Sequence, residues 1–160
     1  MRLAIYQPDI PQNYGSLLRL AACLGLELHV IEPCGFALDE KKIRRVAMDY
    51  LDHARIVQHV SWQAFLDWYQ KTLPQSRLVL LTTRAEKIYV DFDFTAQDIL
   101  IVGQESVGVP EEVRKKCDAA LRVPMSGGVR SLNVVQAAAM VVGEALRQTG
   151  SWAAADVPEV

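Results

Sequence analysis

Short apolar runs alternate with longer amphipathic segments along most of this chain. The apolar runs lie at residues 3–6, 28–31, 78–81, 99–102 and 120–123, with a weaker run at 55–60. They lack the polar alternation of half-exposed strands, which is typical of strands buried on both faces of a parallel sheet. In the segments between them, apolar residues recur at helical spacing. The pattern therefore predicts an α/β fold with a mostly parallel sheet and helices on both faces.

Polar capping residues precede the predicted helices. The positions that we expect to cap helices are Asn13, Asp39, Ser61 and Ser131, and Pro110 lies in the first turn of a further helix. Gly25 suits the end of the first helix near Leu24, and Pro74 ends the helix that begins after Ser61. The last helix has an unusual composition, because residues 134–145 are almost all small or β-branched. So little bulk allows close approach to other parts of the backbone.

Length and composition are those of one globular domain. The chain has 160 residues, of which 51% are hydrophobic and 22% charged. We expect a single domain over residues 1–150 and a C-terminal tail over residues 151–160 that frays unless Trp152 docks it. No apolar run has the length of a membrane span, and the apolar N-terminus is too short for a signal peptide. These features predict a cytoplasmic protein without a membrane partner.

Cysteine and histidine positions do not indicate a metal site. The three cysteines, Cys23, Cys34 and Cys117, are odd in number and widely spaced, which argues against a disulfide framework. No pair has metal-ligand spacing, and the histidines do not cluster with them in sequence, so we predict no bound metal. Cys23 lies in an apolar helical run and is expected to be a buried small hydrophobe.

The overall charge gives no general attraction to nucleic acid. The formal net charge is −2, so RNA binding would need a local basic patch. One such patch consists of Lys41, Lys42, Arg44 and Arg45. These side chains are either a solvated helix face or contacts to phosphate, which would set affinity and orientation rather than sequence choice.

Two loops near the C-terminus carry the strongest indication of a ligand site. Residues 103–110 follow one apolar strand and residues 124–133 follow another, and each loop precedes a helix. The first loop lacks the Gly-Lys-Ser/Thr of a P-loop, the spacing of a nucleophile elbow and the dinucleotide-binding glycine pattern. A single tight turn would need no ligand. Two such loops at one edge of the same sheet favour a ligand site at the carboxyl ends of the strands.

Arg19 is the basic residue of the first predicted helix. It is either a surface arginine of an amphipathic helix or a cation directed at phosphate or ribose. Asn13 and Arg19 are six residues apart and lie on different faces of an ideal helix, so spacing leaves these alternatives open.

Three segments resemble the motifs of the knotted SPOUT methyltransferases. Residues 8–19, Pro-Asp-Ile-Pro-Gln-Asn-Tyr-Gly-Ser-Leu-Leu-Arg, resemble the first motif. Residues 101–110 resemble the second, and Val123-Pro124-Met125 with Arg130-Ser131-Leu132-Asn133 resembles the third. Residues 28–36, Ile43-Arg44-Arg45 with Asp49-Tyr50, and residues 81–83 are similar to the small TrmL/YibK-like group. That group methylates the ribose 2′-oxygen at the wobble position of tRNA, cytidine or uridine 34.

The resemblance implies a C-terminal trefoil knot, a bound S-adenosylmethionine and a homodimer that acts on the anticodon stem-loop of tRNA. It implies cofactor contacts at or near Leu81, Gly103, Glu105, Val123, Met125, Ser131 and Leu132. It implies catalytic roles for Asn13, Arg19, Ser131 and Asn133, with Arg19 beside the partner's cofactor. Lys41, Lys42, Arg44, Arg45 and Arg130 are the expected RNA contacts. Because an arginine is a poor base, Arg19 is expected to orient the ribose and stabilise charge.

Three positions depart from the pattern of the family. Ser16 and Gln136 each replace a common asparagine, and Gly143 replaces a common tyrosine. These departures affect the expected tRNA target more than the expected cofactor. The alternatives are therefore a knotted methyltransferase that modifies another tRNA position or ribosomal RNA, and a non-catalytic RNA-binding module with the same fold.

Overall fold

The structure is a computed structural model that describes residues 1–37, 50, 53–127 and 131–152. Its strands are β1 (Arg2–Tyr6), β2 (Glu27–Ile31), β3 (Arg55–His59), β4 (Leu78–Leu81), β5 (Lys87–Ile88), β6 (Ile99–Val102) and β7 (Ala119–Arg122). Its α-helices are α1 (Pro11–Cys23), α2 (Trp62–Thr72), α3 (Glu111–Arg114) and α4 (Val134–Thr149), and residues Tyr89–Asp91 form a 3₁₀ turn. The predicted alternation of strands and helices is confirmed.

These strands form one sheet in the order β3-β2-β1-β6-β4-β7-β5, and every pairing between them is parallel. The central strands carry buried side chains on both faces, as their apolar sequences predict. Leu100 and Val102 of β6 pack with α1 and α4, whereas Ile99 and Ile101 of the same strand pack with α2 and α3. The helices therefore cover both faces of the sheet. Because parallel strands end at the same edge, the loops after β1, β4, β6 and β7 come together there.

Two of the predicted helix caps are wrong and one is confirmed. Helix α1 begins at Pro11, whose fixed φ suits the first helical position, and Asn13 lies inside its first turn. Helix α4 is capped by Asn133, whose side-chain oxygen accepts from the Val135 amide at 2.8 Å, so Ser131 lies outside the helix. The Ser61 cap is confirmed, since its hydroxyl accepts from Ala64 N at 3.1 Å. The expected cap Asp39 lies outside the described residues.

Helix α4 presents its small side chains to the core. Ala138, Val141, Val142 and Ala145 are fully buried or nearly so. Gly143 differs, because a Cβ at that position would meet no atom within 4 Å. The single chain therefore has room for a side chain at position 143. Cys23, expected to be buried, is exposed at the end of α1.

A buried group of polar side chains joins the first three strands. His29 and His59 are 0% and 5% exposed, and their Nδ1 and Nε2 atoms lie 2.9 Å apart. His29 Nε2 lies 3.0 Å from Glu27 Oε1, and Arg2 Nε donates to the same oxygen at 3.0 Å. We refer to Arg2, Glu27, His29 and His59 as the histidine cluster. Its imidazole rings pack against the aromatic rings of α2, with a centroid distance of 4.3 Å between His29 and Trp68.

No helix in the described part of the chain is long and apolar enough to cross a membrane. Within residues 1–37, 50, 53–127 and 131–152, no three His, Cys, Asp or Glu side chains are grouped so that they could hold a metal ion.

Candidate functional site

A cavity of about 740 Å³ opens at the carboxyl ends of β4, β6 and β7. Its walls come from the β4–β5 connection, the β6–α3 loop, the β7–α4 segment and the first turns of α1 and α4. The volume lies within the range of roughly 300–1,000 Å³ that is usual for small-molecule sites. The ligand site predicted from the two C-terminal loops thus lies at the expected edge of the sheet.

The cavity brings together all the residues expected to contact a cofactor. Its lining includes Leu81, Gly103, Glu105, Val123, Met125, Ser131 and Leu132. Asn13, Ser131 and Asn133, three of the four expected catalytic residues, also line it. Sequence reasoning missed Arg84, Glu111 and Arg114 in the same wall. Arg84 could have been found from its position three residues after the apolar run of β4, at the carboxyl edge of the sheet.

The β6–α3 loop is closed by its own backbone. Gln104 N donates to Gly108 O at 3.1 Å, and Gly108 N donates to Gln104 O at 2.9 Å. Gly108 has a φ of +77°, which disfavours any residue with a Cβ. A Cβ at Gly103 would approach the Gly108 carbonyl carbon to 2.8 Å. The two glycines are therefore required by the tight loop that forms one wall of the cavity.

A hydrogen-bonded group of side chains links three loops at the cavity. Asn133 Nδ2 donates to Asn13 Oδ1 at 3.0 Å, which leaves the amide nitrogen of Asn13 to donate to the Glu105 carboxyl. Asp9 accepts from the backbone amides of Glu105 and Ser106 at 3.2 and 3.3 Å, and also from the Ser106 hydroxyl. We refer to Asp9, Asn13, Glu105 and Asn133 as the pocket cluster.

The two carboxyl groups of the pocket cluster differ in their ionisation. Burial, and then the hydrogen bond with Asp9, raise the pKa of Glu105 to about 7, although the Asn13 amide opposes this rise. The hydrogen bonds from Glu105, from Ser106 and from the loop backbone lower the pKa of Asp9 to about 2. Glu105 Oε2 is buried and has no hydrogen-bond partner among the described residues. A buried acceptor beside a cavity is available to a ligand that donates a hydrogen bond.

Arg19 does not line the cavity. It is exposed on α1, where its Nη2 donates to the Tyr50 hydroxyl at 3.1 Å and its guanidinium carbon lies 4.5 Å from the centre of the Tyr50 ring. Gln12, Ser16 and Cys23 share this exposed side of α1, at helical spacing with Arg19. The structure therefore separates Arg19 from Asn13 within one chain.

The expected RNA contacts Lys41, Lys42, Arg44, Arg45 and Arg130 lie outside the described residues. Of the three departures from the family pattern, Ser16 and Gln136 are exposed and Gly143 is partly exposed. None of the three lines the cavity.

The parallel sheet and the cavity at its carboxyl edge define an α/β protein with a small-molecule site between adjacent strand ends. The chain belongs to the SpoU rRNA methylase family, whose model matches residues 1–143. It is 52% identical over 153 residues to a tRNA (cytidine(34)-2′-O)-methyltransferase of Ancylobacter novellus, with 96% of each chain covered.

Two solved structures have a fold similar to that of this chain. One, which concerns 2-OH methylation of C/U34 on tRNA, has 40% sequence identity and a TM-score of 0.85, and the match covers 92% of this chain and 94% of that one. The other is the SpoU methyltransferase AviRb from Streptomyces viridochromogenes in complex with the cofactor AdoMet. It has 30% identity and a TM-score of 0.84, and the match covers 92% of this chain and 57% of AviRb.

Proposed function

We propose that this protein transfers a methyl group from S-adenosylmethionine to the ribose 2′-oxygen of nucleotide 34, the wobble nucleotide, in tRNA. The observation that carries the proposal is the cavity, because all three motif segments meet there in one hydrogen-bonded site. The relative from Ancylobacter novellus, which bears the name of this activity, matches nearly the whole chain.

The cavity suits S-adenosylmethionine in size and in chemistry. Leu81, Val123, Met125 and Leu132 give it apolar walls for an adenine ring. The unpartnered Glu105 Oε2 offers an acceptor to a hydroxyl or amino group. The match to AviRb in complex with AdoMet supports the assignment. When bound, this cofactor supplies a methyl group activated by the positive charge on sulfur.

The residues of the site then have separate roles. The backbone of residues 103–108 and the segment from Ser131 to Asn133 hold the cofactor between them. The hydrogen bond from Asn133 to Asn13 fixes both amides at the mouth of the cavity, where the ribose must enter. Fixed placement of reacting groups supplies much of the rate of such a transfer, on the order of 7–11 kcal/mol at best. Ser131 is exposed beside them and is available to the substrate.

Arg19 is proposed to act in the cavity of a second copy of the chain. Its exposed position outside its own cavity supports this role. Helices α1 and α4 pack together, and α4 exposes Met140, which is 43% accessible, near the open position of Gly143. We propose that the outer faces of these two helices form the homodimer contact. Sedimentation analysis of the free protein tests it, and a monomer would exclude this role for Arg19.

The RNA contacts proposed from the sequence are Lys41, Lys42, Arg44, Arg45 and Arg130. Arg84 and Arg114 in the wall of the cavity add positive charge where a phosphate of the anticodon loop would pass. The match to the structure that concerns methylation of C/U34 supports a tRNA partner.

The C-terminal trefoil knot is also part of this proposal. The order of the three motifs and the TM-score of 0.85 to a relative with 40% identity support it. A single domain over residues 1–150 with a tail over 151–160, and a cytoplasmic location, stay predictions from the sequence.

Mass spectrometry of nucleosides tests the reaction directly. The purified protein, S-adenosylmethionine and unmethylated tRNA should give a 2′-O-methyl nucleotide at position 34. Methylation at another tRNA position, or only in ribosomal RNA, would contradict the proposed substrate and identify a different one. Binding of RNA without binding of the cofactor in calorimetry would show a non-catalytic module.

Replacement of Arg19 tests its proposed role in the reaction. We expect Arg19→Ala to lower kcat by roughly 100- to 1000-fold, because it removes a group that stabilises developing charge. Calorimetry should show unchanged affinity for S-adenosylmethionine. Loss of cofactor binding would contradict the role. Lys71→Ala, which removes an exposed cation of α2 on the opposite face of the sheet, is the control and should retain full activity.

A further inference from the structure

Asp9 lies in the loop after β1, at the carboxyl edge of the sheet, where it contacts the β6–α3 loop. It is absent from the lining of the cavity. Its carboxylate nevertheless accepts hydrogen bonds from both amides and the hydroxyl that residues 105 and 106 present. These bonds join positions 96 and 97 residues apart in the chain. Asp9 therefore holds the wall of the cavity from outside.

Gly35 fixes Asp9 from the opposite side. The amide of Gly35 donates to the Pro8 carbonyl at 2.9 Å. A Cβ at Gly35 would lie 3.0 Å from both Cα and Cβ of Asp9, closer than side chains ordinarily pack. The loop after β2 thus supports the loop after β1, which in turn supports the loop after β6.

We propose that Asp9 is a positioning residue of the cofactor site, which holds the β6–α3 loop in its closed form and orients the Glu105 carboxyl toward the cavity. The inference rests on the proposed function, because it assumes that the cavity binds S-adenosylmethionine. In this role, Asp9 acts through Glu105 and Ser106 without touching the cofactor.

The ionisation of the two carboxyl groups agrees with this arrangement. Asp9 stays charged because its pKa is about 2, and its charge and hydrogen bond help to raise the pKa of Glu105 to about 7, after the larger effect of burial. Asn13 of α1 faces Glu105 and lowers its pKa. The other charged groups in the cavity wall are Arg84 after β4, and Glu111 and Arg114 of α3. Removal of the Asp9 charge should therefore lower the pKa of Glu105.

Calorimetric titration of S-adenosylmethionine into the full-length protein is the first test. Asp9→Ala removes every acceptor for the loop, so we expect the dissociation constant to rise roughly 10- to 100-fold, as for the loss of charge-assisted hydrogen bonds. Asp9→Asn keeps one acceptor and should have a smaller effect. Ser106→Ala is the matched control, because it removes one donor and leaves the Asp9 charge in place. We expect its dissociation constant to rise less than that of Asp9→Ala.

The pH dependence of binding separates positioning from a general loss of structure. We expect the midpoint that reports Glu105, near pH 7 in the wild-type protein, to move to lower pH in Asp9→Asn and to stay in place in Ser106→Ala. A ¹³C-NMR titration of the Glu105 carboxyl carbon reads the same shift without the cofactor. This second measurement remains informative if the cofactor binds elsewhere.

Gly35→Ala tests the support behind Asp9. Its Cβ must displace Asp9 by a few tenths of an ångström, so we expect weaker cofactor binding from a residue that does not line the cavity. Val60→Ala, which shortens an exposed side chain after β3 that does not line the cavity, is the control. Wild-type affinity and an unshifted Glu105 midpoint in folded Asp9→Asn and Asp9→Ala would overturn the inference. Failure of the wild-type protein to bind the cofactor would instead refute the proposed function.

Discussion

The histidine cluster and the pocket cluster are both polar groups at the sheet, but they differ in whether their hydrogen bonds are complete. Glu27 can only accept, so His29 Nε2 donates to it, and a neutral His29 must then accept at Nδ1 from His59 Nε2. In the pocket cluster, Glu105 Oε2 is buried and finds no hydrogen-bond partner in the part of the chain that the structure describes. A satisfied network stabilises the fold, whereas an unsatisfied acceptor beside a cavity indicates a place for a ligand.

The surroundings of the two clusters differ in the same way. The imidazoles of His29 and His59 are enclosed by the rings of Phe65 and Trp68, and neither imidazole lines the 740 Å³ cavity. The pocket cluster lies on three loops at the open edge of the sheet. We therefore expect burial to serve the stability of the fold in the histidine cluster and the binding of a ligand in the pocket cluster. Four predictions test this distinction, beginning with the largest expected effect.

Acid should destabilise the protein through the histidine cluster. Burial lowers the pKa of His29 to about 4, below the value of 6.5 expected in the unfolded chain. The unfolded state then binds more protons than the folded state, so stability is complete above about pH 6.5 and falls as the pH decreases toward 4. The loss approaches about 3 kcal/mol. Urea unfolding across this range measures it, and a flat profile would contradict the neutral histidine pair.

Replacement of one histidine should reduce stability and leave cofactor binding unchanged. His29→Phe removes the partner of His59 inside the protein, and we expect a cost of about 2 kcal/mol in the free energy of unfolding. The double variant His29→Phe/His59→Phe should cost less than the sum of the single changes, because no buried N–H is then left alone. Altered affinity for S-adenosylmethionine in these variants would break the distinction between the clusters.

Replacement of Glu105 should weaken cofactor binding without reducing the stability of the fold. Glu105→Leu removes the free acceptor, so we expect the affinity for S-adenosylmethionine to fall roughly tenfold, the equivalent of one hydrogen bond. The raised pKa of Glu105 means that its ionised form is disfavoured in the folded state, so the variant should melt at a higher temperature above pH 7. A lower melting temperature with unchanged affinity would make Glu105 a structural residue.

The smallest effect is expected at Asn133, which caps α4 and also donates a hydrogen bond to Asn13 at the cavity. Asn133→Ala removes the cap of α4 and should cost about 1 kcal/mol of stability. Asn133→Asp keeps the capping oxygen and loses the N–H that donates to Asn13. This second variant should therefore fold normally and methylate RNA more slowly. Equal activity of Asn133→Asp and the wild type would show that the amide pair does not position the substrate.

The sequence predicted most of the sheet and most of the cavity lining. Strands β4 and β6 have the predicted bounds, because continuous apolar runs can only be buried between layers of helices. The short strand β5 was missed, since Lys87–Ile88 is too brief to show a period. The cap of α4 was predicted two residues too early, because Ser131 and Asn133 are both good capping residues and only packing selects between them.

The sequence by itself determined the class of fold, the edge of the sheet at which the cavity opens and the segments that line it. Local periodicity and turn chemistry contain that information, because each depends on neighbouring residues. Only the tertiary structure decided that Arg19 lies outside its own cavity, that Asp9 supports a loop 96 residues further along the chain, and that Glu105 Oε2 has no partner among the described residues. These properties arise from contacts between distant segments, and no local pattern specifies them.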